Sequence, residues 1–185
     1  MNLPNKLTIF RVILIPFFVL CMQDFVPYGN YFALVIFIIA SLTDLFDGKI
    51  ARKYNMITNF GKLMDPLADK LLVCTAMICL MEKTILPAIP VIIIIAREFI
   101  ISAIRLIAAS NNVVIAASIW GKAKTVSQMV MVIVLLIHFK HDYYYYLELV
   151  TIIVATILTV ISLVDYVIKN KFYLTRQTNE CKNCC

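Results

Sequence analysis

Apolar residues run through this chain in long blocks, broken by short polar or turn-forming stretches. Crossing a bilayer as a helix takes about 20 residues. Blocks of roughly that length fall at approximately Leu7–Met22, Tyr31–Ala51, Phe60–Leu80, Leu86–Ala109, Ser118–His138 and Tyr144–Ile168. The breaks hold Pro27-Tyr28-Gly29-Asn30, the stretch from Asn55 to Asn59, Glu82-Lys83, Asn111-Asn112 and the stretch from His138 to Asp142, which are the residue types that punctuate helices. The pattern predicts an all-α integral membrane protein with six transmembrane helices over residues 1–170 and a polar cytoplasmic tail over 171–185. An even number of spans puts both termini on one side.

Composition agrees with this reading. Of 185 residues, 62% are hydrophobic and only four are Gly, which describes one membrane domain and no soluble fold. The formal charge of +6 is distributed unevenly. Lys6, Lys49, Arg52, Lys53, Lys62, Lys122, Lys124, Lys169, Lys171, Arg176 and Lys182 all fall on the side of the termini, with Lys83 and Lys140 opposite. The positive-inside rule then places the termini toward the cytoplasm and the chain in the inner cell membrane. Such charge suits anionic headgroups and anionic substrates, and gives no reason to expect nucleic acid.

Three local features are structural. The first apolar block is followed by Cys21-Met22-Gln23-Asp24, which lacks the small residues of a signal-peptidase site, so it reads as a retained helix. Tyr143 to Tyr146 open the last block where an aromatic belt belongs. Cys21, Cys74 and Cys79 are ordinary small apolar residues within helices. The CKNCC ending offers three thiols and no nearby His, short of a structural zinc set, and reads as a mobile tail.

Against this background Asp44, Asp47, Asp65 and Asp69 stand out. One carboxylate near the centre of a spanning helix costs about 2.5–3.5 kcal/mol, so four require something to offset them. Asp44 and Asp47 are three apart and Asp65 and Asp69 four apart, intervals that put each pair on one helix face. An antiparallel hairpin turning near Met56 sets Asp44 level with Asp69, Asp47 with Asp65, and Arg52 with Gly61. The carboxylates then converge roughly 13–20 Å along the helices from the turn. Oxygen-only donors of this kind suit Mg²⁺, Mn²⁺ or Ca²⁺, and paired carboxylates can hold two ions that clamp a phosphoryl group. A structural ion-pair cluster or a cation-transport pathway is the alternative reading of the same residues.

Written as spacing, the segment is D-x2-D-G-x2-A-R-x8-G-x3-D-x3-D, from Asp44 through Asp47, Gly48, Ala51, Arg52, Gly61, Asp65 and Asp69. It resembles the signature of the CDP-alcohol phosphotransferase family at every fixed position. The resemblance implies a six-helix membrane fold and the transfer of a phosphatidyl or similar group from a CDP-linked donor to an alcohol, with release of CMP. It also implies two Mg²⁺ or Mn²⁺ ions held by Asp44, Asp47, Asp65 and Asp69, with Asp69 doubling as general base, and a homodimer. Gly48, Ala51 and Gly61 can admit a nucleotide close to the backbone, and Arg52 can hold a phosphate oxygen. Intramembrane prenyltransferases also use aspartate-rich helices, but this chain looks too short for them.

The start N-L-P-N-K-L-T-I-F-R resembles the glycerol-phosphate branch of that family in bacteria. Asn5 and Thr8, on one face with Arg11, could reach the nucleotide, or else cap the helix while Arg11 snorkels. REFIISAIR, IAAS and GKAKT carry the same resemblance. They imply a cationic pocket for an acceptor bearing its own phosphate, built from Arg105, Lys122 and Lys124. Arg97 lies deeper, roughly 18 Å from the cytoplasmic end of its helix, and is either a fourth member of that pocket or the partner of an acid such as Glu98 or Asp165. The expected substrates are CDP-diacylglycerol and sn-glycerol 3-phosphate, with membrane lipids as the surrounding partners. A sister reaction with inositol phosphate, serine or phosphatidylglycerol is the alternative.

Overall fold

The computed structural model describes the backbone of residues 3–23, 26–54, 59–110, 118–138 and 142–182, and the side chains of 9–23, 26–43, 70–105, 108, 118–138 and 144–169. All regular structure among the described residues is helical. The helices are α1 (Leu3–Cys21), α2 (Gly29–Tyr54), α3 (Asn59–Glu82), α4 (Ala88–Ser110), α5 (Ile119–Ile137) and α6 (Asp142–Lys182). Five of them end within a few residues of the apolar blocks. α6 does not: it continues well past Ile168 to Lys182, so the expected polar tail is helical over most of its length. Hydropathy marks where a block stops being apolar. It does not mark where a helix ends, and residues 169–182 contain neither Gly nor Pro to end one.

The bundle buries a set of polar side chains beside its apolar core and turns large apolar faces outward. Along α6 the buried positions are Glu148, Ile152, Ala155, Thr159, Ser162 and Tyr166, spaced by alternating fours and threes so that they form one seam. Between them Val150, Ile153, Ile157, Val160 and Val164 are exposed. On α5 the seam is Lys124, Gln128, Met131 and Leu135, with the same alternation, and the two helices pack together. Exposed large apolar faces of this extent suit hydrocarbon and not water. Among the described residues, Ile119–Ile137 and Tyr144–Lys169 are long and apolar enough to cross a membrane.

Around that pair, α1 packs on α2 and α3, α4 on α6 and α3, and α5 on α2 and α3. The apolar core gathers Phe18, Phe37, Met77, Leu80, Ile94, Met131 and Leu135, with the Phe18 and Phe37 ring centroids 6.3 Å apart. The turn from α1 to α2 is so close that a Cβ on Gly29 would sit 2.0 Å from the carbonyl oxygen of Cys21, so only glycine fits there. Ser118 caps α5 by accepting from the Gly121 N–H at 3.1 Å, and His138 closes it in the left-handed region at φ 30°. Tyr145 and Tyr146 are exposed at the start of α6.

Candidate active site

The fixed positions of the aspartate motif lie on two helices. Positions 44, 47, 48, 51 and 52 belong to α2, and positions 61, 65 and 69 to α3, so the three- and four-residue intervals keep each aspartate pair on one side of its helix. α2 and α3 pack against each other, and α1 packs against both. Asn5 and Thr8 fall within α1, which starts at Leu3, so neither is its N-cap. The side chains of Asp44, Asp47, Gly48, Ala51, Arg52, Gly61, Asp65, Asp69, Asn5 and Thr8 lie outside the described residues. Among the described residues no three His, Cys, Asp or Glu side chains come together.

The expected acceptor cations are described, and they divide into two settings. Lys124 is 2% exposed and Arg97 7% exposed. Both bond to the same oxygen: Arg97 Nη1 donates to Glu98 Oε1 at 3.0 Å, and Lys124 Nζ donates to it as well. Lys124 also donates to Gln128 Oε1 at 3.0 Å, and Arg97 Nη2 donates to Ser162 Oγ at 2.5 Å. Gln128 Nε2 passes the chain on to Thr159 at 3.2 Å. The partner of Arg97 is thus its own neighbour on α4 together with a hydroxyl on α6. Asp165, the other candidate, pairs instead with Lys169 at 2.7 Å.

Arg105 and Lys122 stand at the surface. The Arg105 guanidinium lies 5.7 Å from the centroid of the Tyr166 ring, within cation–π range. Tyr166 follows Ser162 by one helical turn on α6, so the same stripe of α6 serves both arginines of α4.

From α3 comes one further cation. Lys70, the residue after Asp69, donates to Ser102 Oγ, and Ser102 donates to the backbone carbonyl of Glu98 at 2.5 Å. The helix that carries Asp65 and Asp69 is therefore tied to the helix that carries Arg97 and Arg105. Sequence reasoning passed over Lys70, Gln128, Thr159 and Ser162. The readable signal was a polar residue recurring at four- and three-residue steps inside apolar helices, the position where an intramembrane polar group faces its neighbours. It also allowed Arg11 to snorkel, whereas Arg11 is 1% exposed, inside the bundle.

A cavity of about 420 Å³ lies at the other end of the bundle, lined by Met22, Gln23, Glu82, Lys83, Thr84, Ile85 and His138. Glu82 ends α3, roughly 20 Å from position 69 by helical rise, so this cavity is separate from the motif. Lys83 donates to Asn30 Oδ1 at 3.2 Å, and His138 Nδ1 lies 2.7 Å from Glu148 Oε1, closing that end with polar contacts.

Two packed helices whose sequence carries paired aspartates, the second of them linked through Lys70 to Ser102 on α4, carry the residue types suited to anionic phosphate chemistry. Known proteins share the sequence that builds them. A Bacillus subtilis (strain 168) protein is 45% identical over 149 residues, covering 74% of this chain and 77% of its own. A Rickettsia bellii protein is 41% identical over 168 residues, 89% of this chain and 93% of its own. One from Haemophilus influenzae is 42% identical over 169 residues, 89% and 91%. Each of the three is named CDP-diacylglycerol–glycerol-3-phosphate 3-phosphatidyltransferase. The profile of the CDP-alcohol phosphatidyltransferases matches residues 1–164, the aspartate motif included, and on that match and those relatives the chain belongs to the CDP-alcohol phosphatidyltransferase family.

Proposed function

We propose that this protein transfers the phosphatidyl group of CDP-diacylglycerol to sn-glycerol 3-phosphate, giving phosphatidylglycerophosphate and CMP. The observation that carries the proposal is the complete aspartate signature on two packed helices, in a chain about two-fifths identical to transferases named for that reaction over most of its length.

The donor set of Asp44, Asp47, Asp65 and Asp69 is oxygen-only, which fits a hard divalent cation such as Mg²⁺ or Mn²⁺ and has carboxylates enough for two. Bound there, such a cation would neutralise the donor's pyrophosphate. The chain's own residues do the rest. Arg52 holds a phosphate oxygen of the donor, and Gly48, Ala51 and Gly61 leave room for the nucleotide beside the backbone. Asn5 and Thr8, on the helix that packs against both motif helices, complete the nucleotide side. Arg105, Lys122, Lys124 and Arg97 bind the acceptor's phosphate. Asp69 takes the proton as the acceptor hydroxyl attacks the phosphorus attached to diacylglycerol. The bond from that phosphorus to CMP breaks, and CMP leaves with the electron pair. Proton removal by a positioned carboxylate is ordinary general-base catalysis.

All six helices cross the inner membrane in this reading, with both termini and the site toward the cytoplasm, so that the lipid tails never leave the bilayer. The protein works as a homodimer, and residues 171–185 lie in the cytoplasm. Purified protein is to be given CDP-diacylglycerol labelled in the cytidine, with a panel of acceptors. CMP release with glycerol 3-phosphate, abolished by a chelator and restored by Mg²⁺ or Mn²⁺, is the expected result. Preference for serine or free inositol would place the protein in a sister branch. A divalent-cation transporter would release no CMP with any acceptor.

A further inference from the structure

Glu98 stands outside the aspartate motif, yet side chains of α4 and α5 converge on it and α3 reaches it through Ser102. Its Oε1 accepts from Arg97 Nη1 and from Lys124 Nζ, and its backbone carbonyl accepts from Ser102, which in turn accepts from Lys70. Arg97 and Lys124 both rest on this one carboxylate, with Lys70 one hydroxyl away, so the pair of cations on Glu98 outnumbers the single negative charge between them. Two of these cations share a single oxygen. Without the carboxylate between them, like charges at that separation repel strongly in a low dielectric and their side chains swing apart.

Both cations have donors to spare. Lys124 carries three donors and uses two, on Glu98 and Gln128. Arg97 uses Nη1 and Nη2, while its buried Nε has no hydrogen-bond acceptor. A buried donor left unmatched costs free energy and is satisfied when an acceptor arrives. Surplus positive charge and unmatched donors together call for an anionic oxygen ligand, and a phosphate dianion supplies both the charge and several acceptors.

Resting on glycerol 3-phosphate as the acceptor, the geometry points to Glu98 as the positioning residue of the acceptor site. Its one oxygen holds Lys124 and Arg97 side by side so that their remaining donors meet the acceptor's phosphate together. Glu98 does not touch the substrate. It acts through the two cations, and its charge is required because a neutral amide cannot hold two cations against their mutual repulsion.

The test is steady-state kinetics on purified full-length protein, varying each substrate in turn. Glu98→Gln is expected to raise the KM for glycerol 3-phosphate about 10-fold or more, the scale of one lost charge-assisted contact, and to leave the KM for CDP-diacylglycerol within about two-fold. Glu98→Asp keeps the charge but is shorter by one methylene, so it should fall between wild type and Glu98→Gln. Should Glu98→Gln fail to accumulate in the membrane, the Asp variant carries the test, and an unchanged acceptor KM there overturns the proposal. A merely structural carboxylate would lower the melting temperature while the folded fraction kept a wild-type acceptor KM, which also overturns it. If wild-type protein instead prefers a phosphate-free alcohol, the reaction assignment itself has failed. If wild type uses glycerol 3-phosphate and Glu98→Gln binds it normally, only the role of Glu98 has.

Discussion

Lys122 and Lys124 are two residues apart in one short basic stretch, yet replacing each by Met should give very different proteins. Lys124 is 2% exposed and its ammonium bonds to Glu98 and Gln128. Removing one partner of a buried ion pair typically costs about 3–5 kcal/mol, because the other charge is left behind. Here Glu98 keeps Arg97 at 3.0 Å, so the loss belongs at the lower end, about 3 kcal/mol. For a chain of this size each 1 kcal/mol shifts the melting temperature by about 2–4 °C, giving a fall of about 6–12 °C. Lys122 lies on the exposed side of α5, where a charge contributes about 0–1 kcal/mol, so Lys122→Met should melt within about 4 °C of wild type. The assay is thermal unfolding in detergent micelles, followed through the reactivity of buried thiols. Cys79, 6% exposed at the core, reports unfolding of the bundle. Equal melting temperatures for the two variants would refute the reasoning, since they would show that the Lys124–Glu98–Gln128 contacts carry no net stability.

Two more predictions address the motif and the membrane. Asp69→Asn should abolish CMP release while binding of the CDP donor, read by equilibrium dialysis, stays measurable, because three carboxylates remain; near-normal turnover across the pH range would show that Asp69 is not the base. In a background without the native cysteines, Lys83→Cys, at the bundle end opposite the motif, should react with a membrane-impermeant maleimide applied to intact cells. Labelling only after the cells are opened would invert the topology.

Much of this protein was legible along the chain. Helix number and approximate limits followed from apolar blocks, because a backbone in hydrocarbon must satisfy its own hydrogen bonds and a helix does so within one segment. The aspartate motif was legible as the mark of a family, because carboxylates are so costly in an apolar helix that their presence and spacing stand out; the roles of its residues rest on the proposal above. The far end of α6 was not legible, since hydropathy falls at Ile168 and nothing in the residues up to Lys182 stops a helix. Nor was the division among the basic residues. Arg105, Lys122 and Lys124 look alike in sequence and were assigned to one pocket, with Arg97 either joining them or pairing with an acid such as Glu98 or Asp165. Only packing decided that α4 and α5 bring Arg97 and Lys124 onto a single Glu98 oxygen, that α6 offers Ser162 to one arginine and the Tyr166 ring to the other, and that Lys70 reaches across to Ser102. Side-chain period tells which residues share a face of one helix. Which face of a second helix it meets depends on the rotation and crossing of the pair, set by ridges and grooves contributed by many residues at once.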